Sequence, residues 1–403
     1  MTLGRWSRRG LAALVSAITL SGVGYGGLRV AAGDAPGAAA TGDARARMEH
    51  SPQWSGSTFG NRLERVDGPW LRMTTDWFTR HSEDSVPKDP VPTTARSGAD
   101  YQVAPASGLR VTWLGHSTLL LEIDGARVLI DPVWGQRASP FSFMGPERWY
   151  QNPLPLAELP VVDAVLISHD HYDHLDVSTV RALRERGLRW VVPLGVGEHL
   201  ASWGVPRDRI VELDWWEETS AGPLRLVATP ARHFSGRWLT DQNATLWSGW
   251  AVQGPVHRVF YSGDTALHHE FRDIGERLGP FDLTMIEVGA YDALWADVHL
   301  GPEQAVLAHT LVRGQVMLPV HWGLFDLALH GWTEPMERVL VAAQAKGVRL
   351  VAPQPGGRVE PETDWRPAAD VPRWWPEARW ETVAQAPAWS TGVDDLLTAE
   401  GRP

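Results

Sequence analysis

Short apolar runs, rich in β-branched residues and closed by polar clusters, recur along the central part of the chain. Val111–Leu114, Thr118–Ile123 and Arg127–Ile130 read as three strands of an antiparallel meander, with Asp124-Gly125 as a hairpin turn. The runs that end at Ser168, Pro230, Thr265 and Gly323 read as buried strands that deliver a loop at the C-terminal end. Between the strands the period changes to that of helices. Val177–Arg186 carries Val177, Val180 and Leu183 on one face. Pro302–Leu311 opens on a proline, which the first turn of a helix tolerates, and Glu334–Ala345 is ended by Gly347. Strand and helix signals alternate, so the expected class is α/β.

Composition divides the chain into five regions. In residues 1–33, Arg5, Arg8 and Arg9 precede the apolar stretch Leu11–Leu20, the layout of an export signal or an uncleaved signal anchor. Ser7-Arg8-Arg9-Gly10-Leu11 loosely resembles a twin-arginine signal. The expected location is therefore the periplasm or cell envelope. Residues 34–50, rich in alanine and glycine, read as a linker. Residues 51–105 form an N-terminal extension with a proline-rich end at Pro87, Pro90 and Pro92, which regular helix cannot accommodate. Residues 106–360 are the core. Residues 361–403 carry Trp374, Trp375, Trp380 and Trp389, too aromatic for a solvated end, and are expected to pack on the core or on a partner.

The chemistry concentrates at His169-Asp170-His171-Tyr172-Asp173-His174, directly after the apolar run Val161–Ser168. Alternate residues of an extended loop point to opposite sides, so H-x-H-x-D-H can feed two adjacent metal ions. His233, Asp264 and His321 each follow another apolar run. The chain has no cysteine, so metal ligands must be nitrogen and oxygen, and disulfides and thiolate chemistry are excluded. A net charge of −11 argues against nucleic acid as a partner and against a polybasic anchor on anionic lipid.

In this loop and in the later His, Asp and His, the sequence resembles the metallo-β-lactamase superfamily, in particular its ribonuclease Z and glyoxalase II branches. The segments Thr112–Thr118, Ile130–Val133, Arg137–Pro140, Met144–Pro146, Glu212–Glu218, Gly279–Leu283 and Gly289–Tyr291, with His299 and Pro302–Ala305, resemble the N-acyl-phosphatidylethanolamine-hydrolysing phospholipase D family. The similarity covers about residues 105–350. It implies an αββα sandwich and two divalent ions, zinc being the first choice and iron or manganese open. One ion would take His169, His171 and His233, the other Asp173, His174 and His321, with Asp264 bridging. The implied reaction is attack of a metal-bridging hydroxide on phosphorus, with Asp173, Asp264 and His299 as the catalytic groups. His299 would bind phosphate or protonate the leaving group, or be structural.

Neighbouring residues have narrower expectations. Asp131 and Asp163 are candidates for hydrogen bonds that orient ligand imidazoles, and His116 for that role or a structural one. Asp170 is expected to bond the backbone of its own loop. Trp215-Trp216 read as core or as an acyl groove, and His268-His269 as a helix cap. Three functions fit: a phosphodiesterase acting on a phospholipid at a membrane surface, a hydrolase of a lactone or soluble phosphodiester, and a non-catalytic envelope binding protein.

Overall fold

A computed structural model of the chain describes residues 26–66 and 68–399. The arginines and apolar stretch of the export segment lie outside the described residues. Two sheets form the frame. In the first, β1 (Leu109–Trp113), β2 (Leu119–Ile123) and β3 (Ala126–Ile130) pair antiparallel. β4 (Ala164–Leu166), β5 (Trp190–Pro193) and β6 (Ile210–Leu213) then continue it in parallel from β3. The second sheet begins with the antiparallel strands β7 (Glu218–Ala221), β8 (Leu224–Thr229), β9 (Gly249–Gln253) and β10 (Arg258–Tyr261). It continues in parallel through β11 (Phe281–Glu287), β12 (Gly314–Val320) and β13 (Arg349–Leu350). Two short late strands finish the edges, β14 (Arg358–Val359) beside β1 and β15 (Arg366–Pro367) beside β13.

Period-two alternation explains the layering. Leu119, Leu121 and Ile123 of β2, and Val128 and Ile130 of β3, enter the core between the sheets. Leu120, Leu129, Val165, Trp190 and Val192 face outward instead, against α1 (Val177–Leu183) and α2 (Val196–Ser202). The strands are hydrophobic on both faces because both faces are covered. α3 (Glu270–Leu278), α4 (Pro302–Leu311) and α5 (Glu334–Lys346) cover the second sheet through Phe271, Ile274, Ala305, Met336 and Val339. The fold is an αββα sandwich.

Local chemistry sets the ends of these elements. Asp124 and Gly125 have φ of 49° and 84°, the paired left-handed geometry of a two-residue hairpin. α1 starts where the Asp176 carboxylate accepts the Ser178 and Thr179 N–H groups. It ends earlier than periodicity predicts, tightening into a 3-10 turn over Arg184–Arg186 before Gly187 at φ 69°. Gly347 closes α5 in the same left-handed conformation.

Residues 34–50 are docked on the core, not free as a linker would be. Arg237 donates to the Ala35 carbonyl, Trp203 Nε1 donates to the Asp34 carbonyl at 2.8 Å, and Ala38 N–H donates to His199 Nδ1 at 3.1 Å. Helix Gly42–Glu49 buries Met48 against Phe59, Trp215 and Trp247. The small residues that imitate a linker serve close approach: a Cβ at Gly37 would stand 2.2 Å from His199 Nδ1. The tail packs back too, with Trp374 stacked on Trp322 at 5.1 Å and Val393, Leu396 and Leu397 buried in the core. Among the described residues no helix is long and apolar enough to cross a membrane.

Trp250 lies wholly buried between the sheets and donates from Nε1 to the Ile167 carbonyl at 3.0 Å, tying β9 to the end of β4. Trp250→Ala should destabilise the chain by about 3–5 kcal/mol, measured by urea unfolding. A loss below about 1 kcal/mol would mean that the core closes over the gap.

Candidate metal centre

The loops that carry histidine and aspartate emerge along one edge of the sandwich. His116 follows β1, His169–His174 follow β4, His233 follows β8, Asp264 follows β10 and His321 follows β12 directly. Two groups form. His171 Nδ1 lies 2.8 Å from His169 Nε2 and 3.3 Å from His233 Nε2. Asp173 Oδ2 lies 3.4 Å from both His174 Nε2 and His321 Nε2. Asp264 Oδ2 stands between the groups, 3.8 and 3.9 Å from His169 and His233 on one side, and 3.1 and 3.0 Å from His174 and His321 on the other. All seven residues expected as ligands therefore converge.

Backbone conformation makes this approach possible. Gly263 is left-handed at φ 60°, and a Cβ there would press to 2.7 Å from the Ser248 carbonyl. Glycine is the residue that turns the chain so that Asp264 enters the centre. His321 is itself left-handed at φ 64°, held by its N–H donating to the His116 carbonyl at 3.0 Å.

The donor set suits cations. His169 Nδ1 donates to Ser168 Oγ at 3.0 Å, His233 Nδ1 to the Val298 carbonyl at 2.9 Å, and His174 Nδ1 to Asp131 Oδ2 at 2.8 Å. His169 and His233 thus spend their proton outward and turn the Nε2 lone pair inward, and His174 is oriented with its Nε2 toward the centre. His174 Nε2, His321 Nε2 and Asp264 Oδ1 are buried without a hydrogen-bond partner, an expensive arrangement unless a cation engages them. Burial and the adjacent imidazoles hold His169 and His233 well below the usual histidine range, which keeps both rings neutral. Although burial opposes it, Asp264 and Asp173 raise His321 to about 10 and hold His174 well above its ordinary value. The field between those carboxylates therefore favours positive charge.

A second layer of bonds fixes the first. Asp131 accepts from Ser168 N–H, Ser168 Oγ, His174 Nδ1 and the Tyr261 hydroxyl, at 2.5–2.8 Å. It plays the orienting role expected of it. Asp163 does not: it is exposed at the start of β4, the far end from the loop, and caps Arg127 N–H. Asp170 also departs from expectation. Its buried carboxylate reaches across to Gly236 N–H and Thr245 Oγ1, at 2.8 and 2.9 Å, because the loop turns it inward. His116 Nε2 donates to Asp173 Oδ2 at 2.8 Å, and burial beside His321 lowers its pKa to about 3.

Sequence reasoning missed Glu287. Fully buried at the end of β11, it accepts from His299 Nδ1 at 2.8 Å and from the Thr265 and Leu300 N–H groups. Burial raises its pKa. Its signal was present, since a carboxylate ending a buried strand occupies the position that Asp264 and His321 have after theirs. The buried pair Arg232–Asp297, 2.9 Å apart, was missed as well; it joins the His233 loop to the His299 loop and to Thr391 of the tail.

His299 comes into the centre. Its ring lies 5.1 Å from both His233 and His321, and its Nδ1 is 3.9 Å from Asp264 Oδ2. Trp215 is core, bonded from Nε1 to the Trp247 carbonyl at 2.7 Å, while Trp216 is half-buried beneath Arg277. His269 occupies the N-cap position of α3, but its side chain pairs with Asp395; buried His268 stacks on Phe271.

Residues 126–322 match the beta-lactamase superfamily domain, a span that contains all seven converging residues. An uncharacterized protein of Mycobacterium tuberculosis is 48% identical over 340 residues, covering 82% of this chain and 89% of that protein. N-acyl-phosphatidylethanolamine-hydrolyzing phospholipase D 1 of Caenorhabditis elegans is 39% identical over 246 residues, 58% of this chain and 69% of that protein. Among solved structures, isothiocyanate hydrolase from Delia radicum gut bacteria shares the fold, with a TM-score of 0.50 at 19% identity, covering 62% of this chain and 98% of that one. Fold, edge and relatives together define a metal-dependent hydrolase. The chain belongs to the metallo-β-lactamase superfamily, on the side of it that includes the N-acyl-phosphatidylethanolamine-hydrolysing phospholipases D.

Asp131→Asn removes the charge and exchanges one of the two acceptor oxygens that serve Ser168, His174 and Tyr261 for an NH2 donor, which loosens the hold on the His174 tautomer. Metal affinity, measured by competition with a chelator, should fall about 10–100-fold while the far-ultraviolet dichroism stays native. Unchanged affinity would show that the ring is held by packing alone.

Proposed function

We propose that this chain is a dinuclear metal-dependent phosphodiesterase that hydrolyses a phospholipid, N-acyl-phosphatidylethanolamine being the first candidate. The observation that carries the reading is the position of Asp264 Oδ2, within 3.9 Å of imidazole nitrogens from both groups. His169, His171 and His233 would hold one ion and Asp173, His174 and His321 the other, with Asp264 shared. Nitrogen and oxygen donors with open positions favour zinc. When bound, such ions acidify water near neutral pH and neutralise charge developing on a phosphoryl group.

The chain's own residues do the rest. Glu287 accepts from His299 Nδ1 and so fixes the ring, leaving Nε2 as the nitrogen that meets substrate. From there it can pass a proton to the leaving alkoxide. Asp131 and Ser168 hold the loop rings in one tautomer, and Asp173 is steadied by His116. An aromatic cavity lined by Trp149, Trp322, Phe325 and Trp332 adjoins His116 and His321. With a volume of about 20 Å³ it has room for about one water, so it packs behind the His116 and His321 loops and does not itself receive an acyl chain.

Turnover of vesicular N-acyl-phosphatidylethanolamine, a lactone and bis-nitrophenyl phosphate by the same preparation tests the reading. The phospholipid should be the preferred substrate; preference for the lactone would contradict it. His299→Ala should lower phospholipid turnover by about 10²–10⁴-fold and leave metal content unchanged. The defect should largely vanish on bis-nitrophenyl phosphate, whose leaving group needs no proton. Equal loss on both substrates would assign His299 to phosphate positioning.

A further inference from the structure

We propose that the rim of the metal centre carries a bilayer-docking face formed by Leu28 and Val30, Phe143 and Met144, and Leu239. These side chains come from three separate segments, and each is exposed: Val30 by 82%, Leu239 by 80%, Phe143 by 65%, Met144 by 48% and Leu28 by 43%. Aromatic contacts join the segments into one surface. Phe141 lies 5.4 Å from Phe143 and 6.4 Å from Trp238, the neighbour of Leu239, and the Arg29 guanidinium stands 5.6 Å from the Trp238 ring centre. A contiguous apolar surface of this kind marks a contact with something other than water.

Its loops are tied to the metal loop. Tyr172, between His171 and Asp173, donates its hydroxyl to the Arg237 carbonyl at 2.7 Å. Phe234, which begins the Leu239 loop, sits edge-on to His171 at 4.5 Å. The Phe143 loop leaves the core at Val133, which clusters with Phe325, and Phe325 is edge-on to His116 at 5.4 Å. What docks on this face is therefore presented to the mouth of the centre.

A lipid surface fits better than a protein. No charged residue occurs from Gly10 to Leu28, so the chain enters the face directly out of its longest uncharged stretch, with Arg29 at the boundary. A net charge of −11 disfavours recruitment by anionic headgroups, which leaves insertion of apolar side chains as the mode of attachment. The proposal deepens the phospholipid reading and rests on it for its consequence, delivery of lipid to the centre. Docking itself is separately measurable.

Because the chain has no cysteine, single-cysteine variants of the full chain can each carry one environment-sensitive fluorophore. Phe143→Cys and Leu239→Cys report on the face. Val256→Cys, beside the Asp124 hairpin, and Val341→Cys, on α5, are exposed controls. On adding vesicles of phosphatidylethanolamine and phosphatidylcholine, the first two probes should shift to the blue and become shielded from aqueous iodide, and the controls should not change. Phe143→Ser combined with Leu239→Ser should lower turnover of vesicular N-acyl-phosphatidylethanolamine at least about tenfold, given the apolar area withdrawn from the bilayer. Turnover of bis-nitrophenyl phosphate should be untouched. Face probes that stay aqueous, or that respond to protein concentration without vesicles as a second copy would make them do, overturn the proposal. Shielded face probes with no phospholipid turnover would uphold the docking face and defeat the phospholipase reading.

Discussion

A carboxylate buried among imidazoles governs this structure. Placing Asp264 in the interior costs several kcal/mol unless positive charge or hydrogen bonds answer it. His174 and His321, each about 3 Å away, outweigh burial and hold the carboxyl well below the usual range. That balance works only if five loops from two sheets end at one place. The glycine at 263, the left-handed backbone at 321 and the strand order all follow from this requirement.

The surroundings extend the same logic outward. Asp131 answers His174, Ser168 answers His169, and Glu287 answers His299. The buried Arg232–Asp297 pair then binds the His233 and His299 loops to Thr391, so the C-terminal tail belongs to the support of the centre. Trp374, stacked against Trp322, reinforces the strand end that carries His321. At the other end of the chain, Ala35 and Ala38 contact Arg237 and His199, beneath the loop that holds Asp170. Both extensions therefore support the metal loops, the tail by entering the core and the N-terminal segment by docking on it.

The meander, the strands that lead into the metal loops, helices α1, α4 and α5 and every converging histidine could be read from sequence because each depends on local information: a run of apolar residues and the polar residue that ends it. The Asp124-Gly125 turn and the Gly347 stop are legible for the same reason, since their chemistry demands left-handed backbone. Asp163 and Asp170 were misread because a carboxylate next to a motif carries no information about direction. The first lies at the wrong end of β4, and the second turns inward to Thr245. Glu287 ends a buried strand as the converging residues do and was passed over all the same, whereas the Arg232–Asp297 pair escaped because its two members are distant in sequence and carry no motif. The alanine- and glycine-rich stretch after residue 34 was misread because small residues serve close packing as well as flexibility.

The central claim is that Asp264 joins two ion positions into one centre. Metal content by plasma mass spectrometry, on the purified chain and on Asp264→Ala, tests it most directly. The account predicts close to two divalent ions per chain, with occupancy falling and hydrolysis abolished in the variant. A variant that retained both ions and full hydrolysis would contradict it.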